Sequence, residues 1–214
     1  KGLDKLLAKI NKSFKNKNHT FSTISSFNTL EREIAELYQG NIVDFIVMGT
    51  QGASGLKEVL FGSNTVHVIK NTKCPVLAIP SNFTFETPIE ILFPSDYEID
   101  FQDKHIKPIK DLATLFNTRI NILNASFGYP LSEKQVENKK KLATYFKHIA
   151  HIFHSVSNQN VPEAVNNFQL KTRINLLVMI NNKHSFFENL FFKSKVKQIG
   201  FHLNFPFLVI PSKI

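Results

Sequence analysis

The sequence predicts an α/β fold in which two copies of one parallel-sheet unit follow each other along the chain. Three observations carry this. The segment from Asp44 to Asn82 slides by 131 positions onto Asn175 to Lys213 without a gap, with ten identities in 39 positions; self-similarity of this kind marks a repeated structural unit. Short apolar runs alternate with stretches whose apolar residues recur at three and four, the pattern of strands joined by helical crossovers. Glycines cluster where one of those runs ends, at Gly49, Gly52, Gly55 and Gly62, and the second copy has Ile180, Lys183, Phe186 and Lys193 in their places.

Taken in order, residues 1–17 form a helix with lysines at 1, 5, 9, 12, 15 and 17, and Leu3, Leu6, Leu7 and Ile10 gather toward the other side. Phe21 to Ile24 is short and apolar enough for a strand. Thr29 to Tyr38 reads as a helix: Leu30, Ile34 and Leu37 share a face, Glu31 and Glu33 suit its first turn, and Gly40 supplies a stop. Ile42 to Met48 is an apolar run of the kind buried on both faces. Asn64 to Lys70 follows as a helix, and Val76 to Ile79 as a strand closed by Pro80.

The second copy shows more of the scheme. Strands are expected at 89–93, 120–124, 149–156, 176–180 and 207–210. Helices are expected at 103–116, 134–146, 162–168 and near 195–199, with Pro162 at a tolerated first-turn position. The domain reading is therefore 1–82, a polar connection at 83–88, and 89–214. By the 131-residue offset, the first copy has no counterpart of residues 87–131, which in the second hold a strand, a helix and a strand. A remnant that has lost central strands leaves sheet edges open, so the natural protein is expected to begin before Lys1.

Composition narrows the classes. A hydrophobic content of 43% with 20% charged residues is that of an ordinary globular protein, and no apolar run reaches the roughly 18 residues of a membrane span. Cys74 is the single cysteine, which excludes an intrachain disulfide and fits a cytoplasmic location. The net charge of +9 suggests nucleic acid at first sight. Its densest stretch, residues 1–17, has lysines without arginines, which argues for a solvated helix face instead. No nucleic-acid or membrane partner is expected.

The chemistry gathers at the glycines. The strand ending at Met48 delivers Gly49-Thr50-Gln51-Gly52 to the carboxyl edge of the sheet, where open α/β sheets hold ligands. Nine residues later Gly62-Ser63 opens the next helix. Glycines let backbone N–H groups approach phosphate oxygens and permit left-handed dihedrals. A helix N-terminus adds partial positive charge, and Ser63 brings a hydroxyl and a cap. The Gly-Lys-Ser/Thr of a Walker loop is absent, as is the tight G-x-G-x-x-G of dinucleotide folds.

The pattern G-x2-G-x9-G-S, with Val47-Met48 before it and Cys74-Pro75-Val76-Leu77 after it, resembles the C-terminal signature of the universal stress protein family over residues 42–80. The resemblance implies tandem Rossmann-like universal stress protein domains with five-stranded parallel sheets, the first incomplete in this chain. It implies an adenine nucleotide, ATP or AMP, with Mg entering through its phosphates. Met48 and Gly49 would line the ribose, while Gly52, Gly62, Ser63 and the backbone of Asn64 would hold the phosphates. In such domains an aspartate at the end of the first strand holds the adenine; in the second copy that position falls on Asp96, but Lys183 and Lys193 stand where its glycines should be, so that copy is expected to be degenerate. Family members commonly pair their last strands, which here would give an intrachain pseudo-dimer through 76–79 and 207–210 and leaves higher homo-oligomers open.

Other candidates are weak. His148, His151 and His154 fall around a strand, where neighbours at odd spacing point to opposite faces, so no metal site is expected. Cys74 reads as core. No base or nucleophile stands near the glycines to support more than weak ATP hydrolysis. Two functions remain: a nucleotide-binding stress or signalling protein with one competent copy, and an interaction protein of the same fold that binds no nucleotide.

Overall fold

A computed structural model describes residues 2–50, 62–126, 128–182 and 204–213. The helix expected near 195–199 lies outside them. In chain order the elements are α1 (Gly2–Ser13), α2 (Leu30–Gln39), β1 (Ile46–Gly49), α3 (Ser63–Asn71), β2 (Val76–Ile79), β3 (Glu90–Pro94), α4 (Asp103–Phe116), β4 (Arg119–Ser126), α5 (Glu133–Tyr145), β5 (His151–Ser157), α6 (Val161–Lys171), β6 (Leu176–Asn181) and β7 (Phe207–Pro211). Among the described residues no helix is long and apolar enough to cross a membrane.

Local chemistry sets the helix boundaries. Thr29 caps α2 by accepting from the Arg32 N–H, and the Gly40 N–H closes its end on the Glu36 carbonyl. Ser132 with Gln135, and Asn160 with Glu163, form reciprocal capping boxes at the starts of α5 and α6. Asn117 ends α4 in the left-handed conformation at φ 52°, which a short polar side chain tolerates.

All seven strands join one sheet in the order β1-β2-β7-β6-β3-β4-β5. From β7 to β5 every pairing is parallel. Strands β1 and β2 are also parallel to each other, whereas β2 meets β7 antiparallel, with Val76 opposite Val209 and Leu77 opposite Leu208. The inner strands are buried on both faces, so β7 runs Phe-Leu-Val-Ile-Pro without a polar residue. One core layer lies on the side of α3 and α6 and joins Val68, Ile69 and Val76 to Leu92, Val165, Leu177 and Val209. The other holds Ile91, Phe93, Ile106, Ile109, Leu142, Val178 and Leu208 on the side of α4 and α5. Each such side chain removed from water contributes roughly 1.5–3 kcal/mol.

Two positions 131 residues apart make matching hydrogen bonds. The Leu177 N–H donates to the Pro206 carbonyl at 3.1 Å, and its counterpart Ile46 N–H donates to Pro75 at 2.9 Å. Two expectations need correction. Residues 21–24 form no strand, because a strand exists through its neighbour. Their counterparts at 152–155 lie in β5, which is paired to β4, and no described strand occupies the corresponding position beside 21–24. The run expected at 42–48 becomes a strand only from Ile46, for Ile42 is 70% exposed and has no sheet neighbour.

Candidate functional site

The carboxyl end of β1 and the N-terminus of α3 are bound to one another. Thr65, in the first turn of α3 and 3% exposed, donates its hydroxyl to the Gly49 carbonyl at 2.8 Å. The Gly62 N–H donates to the Thr50 carbonyl, and the Thr50 N–H reaches Ile79 of β2 at 2.9 Å. These bonds place Met48, Gly49, Gly62, Ser63 and Asn64 around one edge. Gly52, the sixth predicted site residue, lies outside the described residues, as does Gly55.

Gly62, not Ser63, is the N-cap of α3, at φ −62° and ψ 156°, and it provides no side-chain cap. Ser63 is the first helical residue and exposed, which corrects its expected capping role. The first intrahelical bond is Val66 N–H to the Gly62 carbonyl at 3.0 Å, so the N–H groups of Ser63, Asn64 and Thr65 have no backbone acceptor among the described residues. A helix leaves such donors at its start, and the helix dipole adds positive potential there. A phosphate oxygen fits this donor set. Gly62 is extended rather than left-handed, and neither Gly49 nor Gly62 has a positive φ. Their value to the site is therefore the missing side chain, which leaves the N–H groups uncovered.

Sequence reasoning missed Thr65 and Thr50. Both are buried polar residues that fasten the helix to the strand, Thr50 through its backbone, and the run Gly62-Ser63-Asn64-Thr65 holds the one signal for Thr65, a hydroxyl residue on the inward side of a first turn.

The second copy presents a different edge. The order of the sheet reverses between β3 and β6, the place where doubly wound sheets open a crevice. A cavity of about 50 Å³ lies there, lined by Pro94, Ser95, Asp96, Leu123, Val161 and Met179 among others. Small-molecule sites have roughly 300–1,000 Å³, larger than this cavity. Asp96 Oδ1 accepts the Glu98 N–H at 3.0 Å, and Gln135 Nε2 donates to the Asp96 carbonyl at 2.9 Å. Lys183 and Lys193 lie outside the described residues.

The two edges cannot combine. Strand β1 runs with β2, β2 runs against β7, and β7 runs with β6 and β3. The carboxyl ends of β1 and β3 therefore face opposite ends of the sheet, with Gly49 at one and Asp96 at the other.

The remaining candidates are placed individually. His151 Nδ1 is 2.8 Å from the Ile149 carbonyl, whereas His154 Nε2 meets Asn121 Oδ1 at 3.0 Å beside Phe168. The two rings are held in separate surroundings, and burial lowers the pKa of His154. Cys74 is fully buried, and burial, with the Asp44 charge, pushes its thiol up to about 11. A thiol at that value is not ionised near neutrality.

Residues 4–80 match the family model described as the universal stress protein family. A universal stress protein of Methanocaldococcus jannaschii is 49% identical over 47 residues, which is 22% of this chain and 28% of that protein. A second from the same organism is 45% identical over 47 residues, 22% of this chain and 29% of that protein. The chain thus matches less than a third of either relative's length. Among solved structures, a universal stress protein of Archaeoglobus fulgidus superposes with a TM-score of 0.68 at 16% identity, over 98% of this chain and 76% of that one. A structure from Pseudomonas aeruginosa gives 0.62 at 16% identity, over 98% and 78%. At that identity the likeness speaks for the fold.

Proposed function

We propose, on the match of residues 4–80 to the universal stress protein family model, that the chain binds the phosphates of an adenine nucleotide, ATP or AMP, in a stress-response or signalling role. The observation that carries this is the uncapped start of α3, fastened by Thr65 to the carboxyl end of β1. Three backbone N–H groups and the Ser63 hydroxyl would meet the phosphate oxygens. Met48 and Gly49 would lie against the ribose, and Mg would enter on the phosphates. The site has a binding role, with weak ATP hydrolysis at most. Residues 89–214 act as a second, degenerate domain that contributes sheet and core.

Titration calorimetry of the chain with ATP and with AMP tests this. The expected result is a single nucleotide per chain. Gly62→Lys places a long side chain over the N–H groups and is expected to abolish binding. Ser63→Ala removes one donor to a charged acceptor and is expected to weaken binding about tenfold. Replacing an N-cap glycine costs the helix about 1 kcal/mol or less, so the Gly62→Lys protein folds. Unchanged affinity in Gly62→Lys would place the nucleotide elsewhere. The small cavity beside Asp96 favours a second reading in which the chain binds no nucleotide and serves as an interaction module; absence of heat with either ligand would select it.

A further inference from the structure

We propose that a cavity of about 580 Å³, framed by the start of α4, the end of β7 and the residues just before β2, is a binding site for a small phosphorylated polyol. Its volume falls within the roughly 300–1,000 Å³ of small-molecule sites. It lies at the end of the sheet away from Gly49 and Gly62, because β2 runs against β7. The site therefore stands whether or not a nucleotide binds at α3.

Hydrogen bonds fix the frame. The Ser212 N–H donates to the Asn181 carbonyl at 3.1 Å, at the end of β6. The Ser212 carbonyl in turn meets His105 Nε2 at 3.0 Å, in the first turn of α4. Between β2 and β7, Val76 stands opposite Val209 and Leu77 opposite Leu208. Continued by three residues, that register sets Lys73 opposite Ser212, which brings Lys73 and Lys213 to one part of the lining.

Charge divides this lining in two. Lys73 and Lys213 are exposed and make no ion pair among the described residues. His105 adds no charge beside them, since both of its nitrogens are engaged in the neutral ring. The connection from β3 to α4 contributes Glu98 and Asp100. Glu98 Oε1 accepts from Gln135 Nε2 at 2.9 Å, and Asp100 Oδ1 accepts from Lys141 Nζ at 2.6 Å. An ionised carboxylate has about four acceptor positions, so each keeps capacity for further donors.

This division decides the ligand class. Two ammonium groups suit an oxyanion that carries more than one charge, as a phosphate does. Two carboxylates repel the same oxyanion and accept hydrogen bonds from hydroxyls. A ligand with a phosphate at one end and hydroxyls at the other satisfies both parts. A bare anion would satisfy only the lysines and leave most of the volume unfilled.

The test uses the whole chain and glucose 6-phosphate, with glucose and inorganic phosphate as separate arms. Glucose 6-phosphate is expected to shift the amide NMR signals of Asn182, Ser212 and Lys213 to saturation, and to bind at least tenfold more tightly than either fragment. Lys73→Ala and Lys213→Ala each remove a charge-assisted bond and should weaken it about tenfold; both side chains are exposed, so the fold is kept. Glu98→Ala should weaken glucose 6-phosphate and leave inorganic phosphate unaffected. Equal affinity for inorganic phosphate and glucose 6-phosphate would overturn the proposal, for it would mean a cationic patch with no polyol site. So would shifts confined to Ser63 and Asn64, unchanged affinity in both lysine variants, or no shift at all.

Discussion

His105 is the residue on which two remote segments meet. It is 4% exposed; Nδ1 accepts the Gln102 N–H at the start of α4, and Nε2 lies 3.0 Å from the Ser212 carbonyl just after β7. Both contacts require the neutral ring with its proton on Nε2, since a protonated Nδ1 would face a donor. Burial lowers the pKa of His105 from the usual 6.5, Lys104 lowers it further, and the Ser212 hydrogen bond and Asp100 act the other way. The folded pKa is thus below the unfolded one. As pH falls through the usual histidine range the unfolded chain takes up the proton first, so stability is full above that range and declines below it. Urea midpoints at pH 7.5 and 5.5 should show this loss, and His105→Gln should make the slope shallower; an unchanged slope would remove His105 from the account. Tyr97 is a simpler case. Its hydroxyl is buried without a hydrogen-bond partner among the described residues, and burial raises its pKa. Tyr97→Phe removes an unsatisfied polar group and should raise unfolding free energy by about 1 kcal/mol; a loss of stability would show that the hydroxyl has a role.

Elements differed in how far the sequence disclosed them. Helix α4 and strand β2 fall where periodicity and flanking residues place them, and α5 and α6 lie within a few residues of expectation, because Ser132 and Asn160 cap them locally. Residues 21–24 have the composition of a strand and no neighbour to pair with, which no local pattern records. The site divides in the same way. Its glycines were legible from spacing, whereas the Thr65 bond to Gly49 depends on how α3 seats on β1, information that exists only in three dimensions. Asn175 illustrates a connection that sequence does not announce. Its Oδ1 binds the start of β3 while Nδ2 donates to Glu86 at 2.8 Å, and Arg173 pairs with the same carboxylate. Asn175→Ala leaves two N–H groups in need of partners and should cost about 2–3 kcal/mol, read as a lowered urea midpoint with an unchanged m-value. A cost within a few tenths would mean that water replaces the side chain fully.

At the scale of the whole molecule, the β2–β7 pairing makes one sheet of β1 and β2 with the five strands that follow. Leu208 and Val209 are buried, and Val209 shares its core layer with Val68, Ile69 and Val76 of the first copy and with Leu177 of the second. Cooperative packing of this kind predicts a single unfolding transition in which calorimetric and spectroscopic midpoints coincide. Two separated transitions would mean that the copies unfold independently and that the seam contributes little. Solved structures of the family share this architecture over most of the chain at only 16% identity, so the layering of apolar strands, not particular side chains, is what the fold demands.

The reversal of direction between β2 and β7 has a practical consequence for display. Lys213 follows β7 at the end of the molecule where Lys73 precedes β2, the pole away from Gly49 and Gly62. Cys74 is buried and unreactive, so Lys213→Cys would give the molecule a single addressable thiol. Coupled through it to a sensor surface, the chain would stand with the start of α3 outward and Asp96 toward the support, and a soluble ligand would sample one edge of the sheet while the other is shaded.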